Sequence, residues 1–259
     1  MAGFPETGPI HAVRTRALAR FPLAAAVCVL ATSQACADGL GGALGFASDN
    51  VYRGLSLTAD RPTWVLDLHY DLGPDWVAGL GGSAERLPRQ SMGAQITAYV
   101  DRRWQLDADW AAKIGAVHYD SAGSIRGSGL NYDEVNAAIG YRGRWRASIA
   151  LSPNTGAVYA ARQTASGFGA WAELTYHQPI GDRFSADVGI GYADLAQSGV
   201  RNYRYGSTGL GYRVGDTYFY LTHTWTSPLV GAYPQQPYGY HSPTRTRWVA
   251  SVIWSFQGS

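Results

Sequence analysis

Residues 246–256 alternate. Thr246, Trp248, Ala250, Val252, Trp254 and Phe256 form one set, nearly all apolar; Arg247, Val249, Ser251, Ile253 and Ser255 form the other, mixed and mostly small or polar. Successive side chains of a strand point to opposite faces, so this segment predicts a strand with one apolar face and one milder face. The cleanest instance of the pattern is 61–72, where Trp64, Leu66, Leu68, Tyr70 and Leu72 oppose Thr63, Asp67, His69 and Asp71. The same period sets Trp76, Ala78, Leu80 and Ala84 against Ser83 and Glu85, and Ile96, Ala98 and Val100 against Gln95, Thr97, Tyr99 and Asp101. It sets Trp110, Ala112, Ile114 and Ala116 against Lys113 and Tyr119, and Val135, Ala137, Ile139 and Tyr141 against Glu134 and Asn136. Further along, Trp145, Ala147, Ile149 and Leu151 oppose Arg146, Ser148 and Ser152, and Phe168, Ala170, Ala172, Leu174 and Tyr176 oppose Glu173, Thr175 and His177. Phe184, Ala186, Val188, Ile190 and Tyr192 oppose Ser185 and Asp187. With strands at about 41–53, 202–213 and 217–226, the reading is twelve strands. Ten or fourteen also fit small boundary shifts. The facing of 217–226 stays open, because Phe219, Leu221 and Trp225 alternate with Tyr218 and Tyr220.

The connections carry as much information as the strands. Turns near 73–75, 105–108, 143–144, 178–183 and 214–216 are short, whereas 120–130, 153–167 and 227–243 are longer. Short turns on one side, longer loops on the other and an even strand count are the plan of a transmembrane antiparallel up-and-down β-barrel. A soluble Greek-key sandwich has no reason to segregate loop length in this way.

Composition agrees. Charged residues are 15% of 259, below the quarter usual for soluble domains, while there are 17 Tyr, 9 Trp and 32 Gly. No apolar run approaches the 18 or so residues of a helical span. A net charge of +2 does not suit a dedicated nucleic-acid binder. Arg14, Arg16 and Arg20 followed by apolar 21–31 and Ala35-Cys36-Ala37 read as an export signal, residues 1–37, with a mature barrel from Asp38. Cleavage there removes Cys28 and Cys36, the only cysteines, and with them any disulfide or Cys-based metal site. The location expected is the outer membrane of a Gram-negative bacterium.

One stretch, Ser48-Asp49-Asn50-Val51-Tyr52-Arg53-Gly54-Leu55-Ser56, resembles the early motif of the TorF-type porins, also described as Gcw_chp proteobacterial outer-membrane proteins. That motif runs roughly Ser-Asp-Tyr-Val-Phe/Tyr-Arg-Gly-Ile/Leu-Ser, and Asn50 stands where the family usually has an aromatic. Weaker matches are 78–83, 131–134, 152–154 and 249–256, so the likeness spans the chain from about Gly45. It implies an outer-membrane barrel with a porin role and carries over no catalytic residues.

Inside such a barrel the polar faces define candidate lumen residues: Asp67, His69, Glu85, Asp101, Arg103, Lys113, Glu134, Arg146, Glu173, His177, Asp187, Arg204 and Arg247. Arg53, at the end of the first strand, joins them either as an eyelet charge or as half of a structural ion pair. Both signs are present, so ion preference is not legible. The Tyr- and Pro-rich loop 227–243 is read as a surface loop, with an inward constriction as the alternative.

The function expected is passive diffusion of small polar solutes through a narrow charged lumen, without catalysis or cofactor. The partners expected are outer-membrane lipid, the solutes, and the barrel-assembly machinery through the last strand ending at Phe256. A non-conducting structural or adhesive barrel is one alternative. A lipid-acting enzyme is another, with His118 and His223 on outward parity, although no nucleophile motif accompanies them.

Overall fold

The computed structural model describes residues 39–58, 60–86, 92–122, 131–155, 167–198, 202–227 and 246–257. Its strands are β1 (Leu40–Ala47), β2 (Val51–Tyr52), β3 (Leu55–Ser56), β4 (Thr63–Leu72), β5 (Trp76–Arg86), β6 (Met92–Gln105) and β7 (Trp110–Ala122). They continue as β8 (Tyr132–Tyr141), β9 (Trp145–Thr155), β10 (Gly167–Ile180), β11 (Phe184–Asp194), β12 (Tyr203–Val214), β13 (Thr217–Thr226) and β14 (Arg247–Gln257). Twelve of them, all but β2 and β3, form one closed antiparallel barrel in chain order. β1 closes it, pairing Leu44 with Trp254 of β14 on one side and with Leu66 of β4 on the other.

Alternation is what makes closure stable. Leu44, Phe46, Trp64, Leu80, Ile96, Ile114, Ile149, Ile190, Leu210 and Trp248 are all exposed on the outside. Such a continuous apolar band suits hydrocarbon rather than water. Strands of ten to fourteen residues, such as β4 and β6, are long enough to cross a bilayer core at a barrel tilt. Next to the short turns the outer aromatics pair across strands. Trp110–Tyr141, Trp145–Tyr176 and Phe184–Tyr212 have ring centroids 4.7, 4.5 and 4.8 Å apart, forming a girdle at that rim. Parity also settles β13: Phe219 and Leu221 are exposed outside, and Thr222 and Thr224 are buried inside.

The first strand is shorter than the sequence pattern suggests. It ends at Ala47, not Arg53, because Ser48 breaks the ladder: its N–H still donates to the Ala250 carbonyl at 2.9 Å, but its own hydroxyl accepts from the Ala250 N–H at 3.1 Å. The chain then turns into the barrel. Residues 51–58 are all buried, and β2 and β3 pair Val51 with Ser56 and Tyr52 with Leu55 inside the lumen. The connecting residues, Arg53 at φ 48° and Gly54 at φ 79°, both lie in the left-handed region. Positive φ at both central positions is the signature of a type I′ hairpin turn. Gly takes this conformation freely; for Arg it costs about 1 kcal/mol, so the surroundings must hold it there.

Candidate functional site

The inward hairpin meets two unlike walls. On the β8–β12 side it is sealed. Arg53 makes a bidentate ion pair with Glu134 of β8, Nη1 to Oε2 at 2.8 Å and Nη2 to Oε1 at 2.9 Å, with both side chains buried. Its guanidinium lies 4.1 Å from the Trp171 ring centroid and 4.6 Å from that of Tyr52. The Gly54 carbonyl accepts from Thr226 Oγ1 at 2.6 Å. A Cβ on Gly54 would stand 2.5 Å from Thr226 Oγ1 and 2.6 Å from Tyr205 Cβ, so only glycine fits the tip. Leu55 packs into a buried cluster with Tyr119, Tyr132, Trp171, Leu195, Tyr203 and Tyr205. Tyr119 and Tyr132 stack at 4.3 Å, and the Tyr52 and Tyr119 hydroxyls are 3.2 Å apart. Burial raises the Tyr52 phenol well above its usual range, so it stays neutral in this contact.

The base of the hairpin is tied by charge. Asp49 accepts from Ser56 Oγ at 2.5 Å, from Thr58 Oγ1 at 2.8 Å and from Arg247 Nη1 of β14 at 3.1 Å. Asn50, where the resembled family has an aromatic, donates through Nδ2 to Ser83 Oγ at 3.1 Å and to the Ala84 carbonyl at 3.2 Å. The departure from the motif is therefore a tether to β5.

On the other side, facing β4–β7 and β14, the hairpin leaves a cavity of about 90 Å³. Gly81 and Gly82 line it, and a Cβ on Gly81 would collide with the Thr97 hydroxyl. The carboxylates here are neutralised in place. Asp67 accepts from Tyr99 at 2.8 Å and pairs with His69 Nδ1 at 2.7 Å, and Lys113 Nζ lies 3.0 Å from both oxygens of Asp101.

Twelve of the candidate residues lie on inward-facing strand positions: Asp67, His69, Glu85, Asp101, Arg103, Lys113, Glu134, Arg146, Glu173, His177, Asp187 and Arg247. They are gathered into pairs rather than one ring. Besides those already described, Ser121 donates to Glu85 at 2.9 Å, Tyr205 donates to Glu173 at 2.8 Å, and His177 Nδ1 meets Asp187 at 2.6 Å. Two assignments change. Arg53 is at the tip of the inward hairpin, not on the wall. Arg204 points out: it is exposed beside Tyr192 of β11, while its neighbours Tyr203 and Tyr205 turn in and are buried. Tyr-Arg-Tyr reads equally well in either parity, and the aromatic cluster decides it.

The site set also omits Asp49, Tyr52, Gln95, Trp171 and Tyr205. Trp171 shares parity with Glu173 and His177, and Gln95 with Thr97 and Asp101, so both are legible in the alternation; Asp49, Tyr52 and Tyr205 depend on the hairpin turning in. Residues 228–243 of the candidate constriction loop and the leader 1–37 lie outside the described residues. On the exterior, His118 pairs with Asp133 at 2.7 Å, and Asp133 accepts from Asn154 at 2.8 Å, while His223 lies against the Trp248 ring. No hydroxyl hydrogen-bonds to either imidazole among the described residues.

No family model matches the chain, and no curated protein matches it in sequence. Solved structures match its shape. A membrane protein from work on in-meso crystallization aligns at TM-score 0.52 with 9% identity, over 85% of this chain and 83% of its own. The KdgM porin aligns at TM-score 0.47 with 10% identity, over 84% and 99% of the two chains. An outer-membrane channel from Pseudomonas putida F1 aligns at 0.48 with 10% identity, over 86% and 97%. At these identities the likeness is one of fold.

Proposed function

We propose that the protein is an outer-membrane channel of porin type that lets small polar solutes diffuse through a lumen narrowed by the hairpin 51–56. The observation that carries this reading is the cavity between the hairpin and the β4–β7 wall, in a barrel whose outside is apolar and whose inside is polar. Such a lumen works by replacing part of a solute's hydration with fixed hydroxyl, amide and paired charged groups. The motif at 48–56 supports a kinship with the TorF-type porins, and the build of the turn at Arg53-Gly54 gives those two residues a physical reason. An export leader over 1–37 and insertion through the last strand, ending near Phe256, belong to the same proposal. N-terminal sequencing of protein extracted from outer membranes tests the leader, with Asp38 expected first.

The central experiment is single-channel recording of the refolded barrel in a planar bilayer. Discrete small steps are expected. Silence at every voltage would favour the non-conducting structural barrel, a reading that draws on the sealed aromatic contact between hairpin and β8–β12.

A further inference from the structure

Gln95 of β6 is 7% exposed and lines the cavity beside the hairpin. A carboxamide in a cavity wall offers one acceptor and two donors to whatever occupies the space. Thr97 and Ser251 line the same space and add two hydroxyls to it. The charged groups around it are already satisfied. Asp49 is held by Arg247, Asp67 by His69 and Tyr99, and Asp101 by Lys113. The rest of the lining combines apolar and aromatic residues, among them Val51, Val65, Val249 and Tyr119, with the polar Asn50, Thr63 and Ser83.

We propose that this cavity is a selectivity subsite for small uncharged solutes carrying hydroxyl or amide groups, of the size of a three-carbon polyol. The inference rests on the channel reading and narrows it. Neutral donors and acceptors in the wall reward a neutral hydroxylated solute. An ion of the same size meets no uncompensated opposite charge and loses hydration in a space with an apolar side. The volume sets the size: about 90 Å³, at the roughly 30 Å³ that a water takes in the liquid, is the bulk of about three waters, the scale of a three-carbon polyol.

The test is tracer efflux from proteoliposomes of the full-length mature barrel at neutral pH, with glycerol and lactate as size-matched neutral and anionic probes. Glycerol is expected to leave at least about tenfold faster than lactate, since shedding hydration from an unpaired charge costs more than one decade in rate. Gln95→Leu removes the carboxamide at nearly constant size and is expected to slow glycerol about fivefold, the worth of one neutral hydrogen bond, without slowing lactate. Lys113→Met leaves Asp101 without its cation and is expected to raise potassium conductance. Equal efflux of glycerol and lactate, or a Gln95→Leu barrel that passes glycerol unchanged, overturns the subsite and leaves the channel standing. No efflux of either probe and no ion conductance overturns both.

Discussion

The two sides of the hairpin 51–56 touch the same barrel and do opposite things. Toward β8–β12 it meets Glu134, Trp171, Tyr203 and Tyr205, all large and all buried. Toward β4–β7 the cavity wall is lined by smaller groups, Gly81, Gly82, Ser83 and Thr97, and a cavity remains. A barrel of this strand number is wide enough to need filling and narrow enough for one short hairpin to do it. Side-chain volume on the two walls then decides where the fill is tight. The sealed side anchors the hairpin. The thin side is where a solute has room.

That contrast can be broken in graded steps. Arg53→Ala leaves Glu134 buried without its cation and should cost about 3–5 kcal/mol, read as an earlier urea midpoint of the barrel in vesicles. The released hairpin should also raise conductance several-fold in planar bilayers. A double change, Arg53→Met with Glu134→Leu, should recover most of the stability, because the seal needs filled volume more than it needs charge. Next, Gly54→Val should cost about 2 kcal/mol or more from left-handed strain and contact with Tyr205, with conductance moving as for Arg53→Ala. Asp49→Asn weakens the tie to Arg247 without removing volume and should cost about 1–2 kcal/mol by the same titration. Thr97→Val on the cavity wall should stay within about 1 kcal/mol of the parent barrel, because the change is nearly isosteric and faces the cavity. A Thr97→Val loss as large as that of Arg53→Ala would erase the distinction between the walls.

The barrel was legible in the chain because its signal is local. Period-two alternation and turn length are read within a dozen residues, and each strand repeats them. Parity alone put Asp67, Asp101, Lys113, Glu134, His177 and Asp187 inside, and the structure has them there. Parity failed at Arg204, where tyrosines on both sides of an arginine allow either facing. It also let the first strand run on to Arg53, since Val51, Arg53 and Leu55 continue a plausible alternation.

Sequence by itself therefore determined the alternating strands, the up-and-down antiparallel plan, the apolar outside and the polar inside, because each follows from neighbours a few residues apart, whereas the count of twelve and the pairing of the inner charges came from the structure. Only the tertiary structure decided that 51–56 leaves the wall and fills the lumen. Its reasons are Glu134, Trp171, Tyr205 and Thr226, contributed by four strands far along the chain. Contacts of that separation exist only once the barrel has closed around them.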